Sequence, residues 1–216
     1  MELRNKKIAF LGDSITEGVG ASAPDNKYVS VFSKITDTNV LNYGISGTRF
    51  APQRKASVNE RFDMDFISRV PEMDEDADAV VVFGGTNDFG HGDAPFGSLS
   101  DTEASTFCGA CDYLMRILIE KYPSKPIVFM TPLHRFTEEA TINEIGIERK
   151  TLIEYVNVIR KKAEKYSIPV LDLFAASGMQ PNIEVQNKLY FTDGLHPNDE
   201  GHRKIAEKLK KFMETL

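Results

Sequence analysis

The run Ala79-Val80-Val81-Val82-Phe83-Gly84-Gly85-Thr86-Asn87-Asp88 decides the fold. Five apolar residues rich in valine and closed by two glycines fit a strand buried on both faces, the kind found in parallel sheets covered by helices. Two similar runs precede it: Ile8-Ala9-Phe10-Leu11, ended by Gly12, and Val40-Leu41-Asn42-Tyr43, ended by Gly44. Two follow, Ile127-Val128-Phe129-Met130 and Pro169-Val170-Leu171-Asp172-Leu173. Between them apolar residues recur at helical spacing. Tyr28, Val31, Phe32 and Ile35 form one such set; Leu152, Tyr155, Val156, Ile159 and Ala163 form another; Ile205, Leu209, Phe212 and Leu216 close the chain. A weaker helix is predicted over Asn59–Val70, and a long one over Asp101–Tyr122 after a glycine-rich loop from Gly84 to Gly97. Strands alternating with helices in this way predict an α/β fold: three layers, doubly wound, with a five-stranded parallel sheet.

With 216 residues the chain can bury one sizeable core, and residues 1–216 are expected to form a single domain without linker or repeat. Apolar residues at 41% and charged residues at 27% are ordinary for a soluble globular protein. A net charge of −6 without any Lys/Arg run argues against nucleic acid or an anionic membrane as partner. No apolar stretch approaches the roughly 20 residues that span a bilayer. The polar start Met1–Lys7 lacks the pattern of a signal peptide, so a cytoplasmic location is expected. Cys108 and Cys111 form a C-x-x-C pair. A zinc site needs about four ligands and no second pair exists; a redox pair belongs at a helix start after a strand. Here both fall inside the long predicted helix, which makes them core residues, and no metal site is expected.

In doubly wound sheets ligands bind beyond the carboxyl ends of the strands. After the first strand comes Gly12-Asp13-Ser14-Ile15-Thr16-Glu17-Gly18, where Ser14 is placed as an exposed nucleophile or, equally, as a helix cap with Glu17 completing a capping box. It is not the G-x-S-x-G elbow, since Thr16 replaces the second glycine. After the second strand, Gly44-Ile45-Ser46-Gly47 allows a backbone N–H to point outward. After the third, Asn87 is either a turn residue or an amide donor facing the same crevice. Two backbone N–H groups and one carboxamide would make an oxyanion hole.

Late in the chain stands Asp193-Gly194-Leu195-His196-Pro197. A serine hydroxyl needs a base to take its proton, and a histidine base needs a carboxylate to hold its tautomer. Asp193 and His196 can supply both from one turn.

These four elements, in this order, resemble the blocks of the SGNH (GDSL-type) hydrolase family. Gly12-Asp13-Ser14, Gly47, Gly85-Thr86-Asn87-Asp88 and Asp193…His196 each match one block; Ile15 stands where the first signature has leucine. The resemblance implies the family's flavodoxin-like fold and a carboxylic ester hydrolase that needs no cofactor. Ser14 would be its nucleophile, His196 the base and Asp193 its orienting carboxylate, with the Ser14 and Gly47 N–H groups and Asn87 as oxyanion donors. Asp13, His91 and His134 stand where they can line the mouth of the site, while His202 reads as structural. The substrate implied is a small-molecule ester. Without room for a large lid a short, acetyl-type acyl group is favoured, carbohydrate esters among the candidates; lipid acylhydrolase, thioesterase and acyltransferase activities use the same residues. There is no tryptophan to stack on a sugar, but Phe50, Phe89, Phe96 and Phe136 fall in loops near strand ends.

Overall fold

The computed structural model describes residues 1–216. Its centre is a five-stranded sheet of β1 (Lys7–Gly12), β2 (Asn39–Gly44), β3 (Ala79–Phe83), β4 (Ile127–Met130) and β5 (Val170–Leu171), in the order β2-β1-β3-β4-β5 with every pair parallel. This is the flavodoxin-type order, in which the direction of winding reverses between β1 and β3.

Alternation along each strand divides the core between the two faces of the sheet. Ala9, Leu11, Val80, Val82 and Phe129 face one layer, which holds α5 (Phe107–Lys121) and α6 (Leu152–Lys165). Ile8, Phe10, Val81, Phe83, Val128 and Met130 face the other, built from α2 (Tyr28–Thr36) and α9 (Asp199–Met213). All five residues of β3 are buried, so each large side chain there removes enough apolar surface from water to stabilise the fold by about 1.5–3 kcal/mol. No helix is long and apolar enough to cross a membrane.

Some expected elements are shorter than the sequence suggests. β5 holds only two residues, because Asp172 leaves the strand to cap the short helix α7 (Leu173–Ala176). The helix expected over Asn59–Val70 is a 3₁₀ turn at Glu60–Asp63 followed by α3 (Phe66–Arg69), separated where Asp65 caps α3 through the Ser68 N–H. The long helix begins at Phe107 rather than Asp101, because Thr106 is its N-cap. Inside the expected glycine-rich loop lies a further helix, α4 (Thr86–His91), and α8 (Glu184–Tyr190) precedes the late loop. Cys108 and Cys111 are free and buried within α5.

Candidate active site

Ser14 opens α1 (Ser14–Glu17) directly after β1. The helix is capped by Asp13, whose carboxylate accepts from the Ile15 N–H at 3.0 Å. Ser14 is therefore not the cap, and its hydroxyl is free for another partner. Gly12 lets the turn close this tightly, since a Cβ there would lie 1.9 Å from Thr16 Oγ1. Ser14 Oγ lies 3.0 Å from His196 Nε2.

His196 comes from the turn between α8 and α9. The Asp193 carboxylate shapes that turn with one oxygen and holds the ring with the other. Oδ1 accepts from the Leu195 and His196 N–H groups at 3.0 and 2.7 Å, and Oδ2 lies 2.7 Å from His196 Nδ1. Burial works to raise the Asp193 pKa, but these hydrogen bonds and the nearby imidazole outweigh it and hold the carboxyl below its ordinary range. A proton on Nδ1 leaves Nε2 with a lone pair toward Ser14, the tautomer a general base requires. Gly194 has φ +80°, and a Cβ there would strike the Phe136 ring, so glycine is required on both counts.

The loop after β2 is held from two sides. On one side Glu17, three residues past Ser14, accepts the Ser46 N–H at 2.7 Å, receives the Ser46 hydroxyl and pairs with Arg61. On the other, buried Arg49 donates to Phe62 O at 2.9 Å and pairs with Asp63 at 3.0 Å. Gly47 lies between, at φ +77°, with the Phe62 ring where a side chain would be. Asn87, on α4, donates one amide hydrogen to Thr48 O at 2.9 Å, and a carboxamide has a second to offer. Neither the Ser14 nor the Gly47 N–H donates within the chain. Arg69 ties the strand ends together, reaching Gly12 O at 3.2 Å, Tyr43 O, and Thr48 Oγ1 at 2.9 Å. Asp88 accepts the Phe50 and Ala51 N–H groups, both at 3.0 Å. Burial pushes the carboxyls of both Asp88 and Asp13 up to about 6.

The remaining expected residues separate. Asp13 is 1% exposed and caps α1, so it holds the helix of Ser14 and does not face a ligand. His134 binds Glu138 at 2.9 Å and packs on Phe174, and none of its contacts reaches Ser14 or His196. His91 accepts at Nδ1 from Arg49 at 2.9 Å, because a guanidinium only donates. Burial and the Arg49 charge both lower its pKa, so the ring is neutral with its proton on Nε2. His202 is fully buried, accepting the Tyr28 N–H at Nδ1 and donating from Nε2 to Val19 O. Of the phenylalanines expected near the mouth, Phe50 and Phe89 are core residues and Phe96 packs against Phe107 and Tyr155. Phe136 alone is exposed, lying over Gly194. Sequence reasoning missed Glu17 as a clamp, along with Arg49, Arg69 and Phe62. A single arginine in a loop carries no spacing signal; only its nearness to Gly47 marked Arg49.

The chain matches the GDSL-like lipase/acylhydrolase family over residues 10–204. No match was found among the curated proteins. Among solved structures, a protein from Lactobacillus plantarum is 32% identical with a TM-score of 0.82, the alignment covering 99% of this chain and 98% of that one. A lipase/acylhydrolase from Enterococcus faecalis is 21% identical with a TM-score of 0.66, covering 97% and 96%. An acetyl xylan esterase is 20% identical with a TM-score of 0.62, covering 95% and 98%. The last two show likeness of fold. Matched from within β1 to the second turn of α9, the chain belongs to the GDSL-like lipase/acylhydrolase family and is a hydrolase.

Proposed function

We propose that the chain hydrolyses short-chain acyl esters, acetyl esters of carbohydrates among them, through an acyl-enzyme on Ser14. The observation that carries this reading is the continuous relay from Ser14 Oγ to His196 Nε2 and from Nδ1 to Asp193, beside two backbone N–H groups without partners. Ser14 Oγ bonds to the ester carbonyl carbon while its proton passes to His196 Nε2. The carbonyl oxygen gains the electron pair and receives hydrogen bonds from the Ser14 and Gly47 N–H groups and the Asn87 amide. When the intermediate collapses the alkoxide leaves and takes the proton from Nε2. Water then repeats the sequence on the acyl-serine and restores the hydroxyl.

Two observations favour a short acyl group. Ser14 is 6% exposed. None of the four larger cavities, of about 450–800 Å³, is lined by Ser14 or His196, in keeping with a shallow acyl site. The acetyl xylan esterase of like fold is in keeping with acetylated sugars. Ser14→Ala should lower kcat on p-nitrophenyl acetate by about 10⁶, and a fluorophosphonate should phosphonylate Ser14 with loss of fluoride, so that the peptide holding Ser14 gains the mass of the reagent less HF. A Ser14→Ala enzyme that turns over at the parent rate would end the reading.

A further inference from the structure

A cleft of about 800 Å³, within the usual range for small-molecule sites of about 300–1,000 Å³, opens beside the oxyanion loop between residues 53–62 and 143–147. Two contacts join it to the site. Phe62, in its lining, is the ring that covers Gly47. His91, also in its lining, stands four residues after Asn87 on α4, hence on the same face about 6 Å further along.

Both walls are fixed. Asp93 accepts the Arg54 and Lys55 N–H groups at 2.7 and 2.8 Å, which holds the first. Asn143 donates to Gly92 O at 2.8 Å and the Glu144 N–H donates to Gly90 O at 3.0 Å, which docks the second onto the end of α4.

The lining is of two kinds. Phe62, Val58, Ile145 and Ile147 offer apolar surface. Among the polar side chains, His91 Nε2, Gln53 Nε2, Asn59 Nδ2, Lys55 Nζ and one carboxylate oxygen of Glu144 have no partner in the chain. Four donors, the Lys55 ammonium among them, and an acceptor around an aromatic ring suit a ligand with an apolar face and a hydroxylated edge. An alkyl chain would cover those groups without pairing them, which is unfavourable.

We propose that this cleft is the subsite for the alcohol part of the ester, a polyhydroxylated ring, and that His91 is its specificity-determining donor. Arg49 fixes the ring as the Nε2–H tautomer, so that a donor and not an acceptor meets a ring hydroxyl. The inference rests on the short-acyl reading above, because with a small acyl group only the alcohol is large enough to fill the cleft.

The test compares methyl 6-O-acetyl-β-D-glucopyranoside with hexyl acetate. His91→Ala should lower the ratio of kcat/KM for the sugar ester to that for the alkyl ester at least tenfold, mostly through KM. His91→Gln, which keeps an amide donor near the position of Nε2, should restore part of it. Equal losses on both esters would show a merely structural role and overturn the assignment. Should the His91 variants not fold, titration of Ser14→Ala with methyl β-D-glucopyranoside should shift the His91 imidazole signals in NMR. No shift, or a shift with hexanol instead, would overturn it. The sugar titration needs no turnover, so it separates failure of this subsite from failure of the Ser14 assignment.

Discussion

Ser14, Gly47 and Asn87 sit at three strand ends tied together by buried side chains, whereas Asp193 and His196 come from one turn whose carboxylate is half exposed. The first group depends on contacts distant in sequence. Arg69 reaches Gly12, Tyr43 and Thr48, and Asp88 reaches Phe50 and Ala51. The second depends on a partner three residues away. Oxyanion donors must be in place before charge develops, since reorganising them during the reaction would cost what they are meant to supply. A base needs only the right tautomer and direction, which one neighbouring carboxylate can give. The proposed oxyanion group should therefore lose rate and stability together when cut, and the base turn should lose mainly rate.

The sharpest test of that contrast is Asp193→Asn. Asparagine keeps an oxygen for the Leu195 and His196 N–H groups, so the turn should persist. The imidazole loses its carboxylate, and kcat should fall by up to about 10⁴, while the melting temperature falls only by the small contribution of the lowered Asp193 pKa. A steep drop in melting temperature would mean that the base turn is part of the rigid scaffold after all.

Asn87→Ala comes next, on the other side of the comparison. It removes the proposed oxyanion donor and also the tether to Thr48 O. The expected loss is about 10²–10³ in kcat with little change in KM, together with a measurable drop in melting temperature. An unchanged kcat would place the amide away from the reacting oxygen.

Glu17→Ala probes a clamp that touches no substrate. With the Ser46 N–H and hydroxyl released, Gly47 is free to drift, and a donor displaced by about 1 Å can cost up to roughly 10²-fold. We expect a fall of tenfold or more in kcat, partial rescue in Glu17→Gln, and KM little changed. Equal activity in all three proteins would show that Arg49 and Phe62 hold Gly47 without help.

This clamp also shows where the sequence stops being legible. Glu17 follows Ser14 at capping-box spacing and was read that way, yet Asp13 is the cap and Glu17 points across to the next loop. Nothing local distinguishes the two, since the deciding partner is 29 residues away. β1, β3 and β4 are legible because burial on both faces demands continuous apolar runs, whereas the edge strand β2, without a fully buried residue, shows only through Val40-Leu41 and its closing glycine. The family's four motif blocks were readable because each lies just past a strand or within one turn. α4 was hidden by Gly85, Gly90 and Gly92, and α8 by its lack of a buried face. The weak helix before Val70 failed because its residues are pinned to Arg49 through Phe62 O and Asp63. Long-range hydrogen bonds overrode helix propensity there.

The two halves should also differ in how they respond to pH. Asp13 and Asp88 are both raised to about 6 by burial, against about 3.9 for an unfolded aspartate. Between those values the native state binds more protons than the unfolded one, so their contribution to stability falls as pH rises from about 4 to about 6. Asp193 has the opposite sign. Its lowered pKa stabilises the fold above the unfolded value, and that contribution is lost as pH falls toward the folded one. Asp88→Asn should therefore make the melting temperature depend less steeply on pH between 4 and 6 in the downward sense, even though one of the Phe50 and Ala51 N–H groups loses its acceptor. The same slope in parent and variant would show that the Asp88 carboxyl titrates alike in the folded and unfolded chains.

The smallest effect on activity is expected from the core behind the rigid half. Cys108 and Cys111 lie on the inner face of α5, in the same cluster as Phe50 and Phe66, which pack against Gly84 at the end of β3. Burial pushes the Cys108 thiol up to about 11 and the Cys111 thiol well above its ordinary value, so neither is a ready thiolate at neutral pH. Replacing both by alanine removes two buried sulfurs and leaves small voids, at a cost of about 1–2 kcal/mol each. The hydrogen bonds that Arg69 donates and that Asp88 and Glu17 accept tie the loops of the donors in place, above the core that holds the two cysteines. The double variant should therefore melt earlier but keep its kcat when assayed well below the transition. A fall in kcat at low temperature would mean that core packing positions the oxyanion donors directly, and native thiols that react rapidly with iodoacetamide would show that the pair is not sealed in the core.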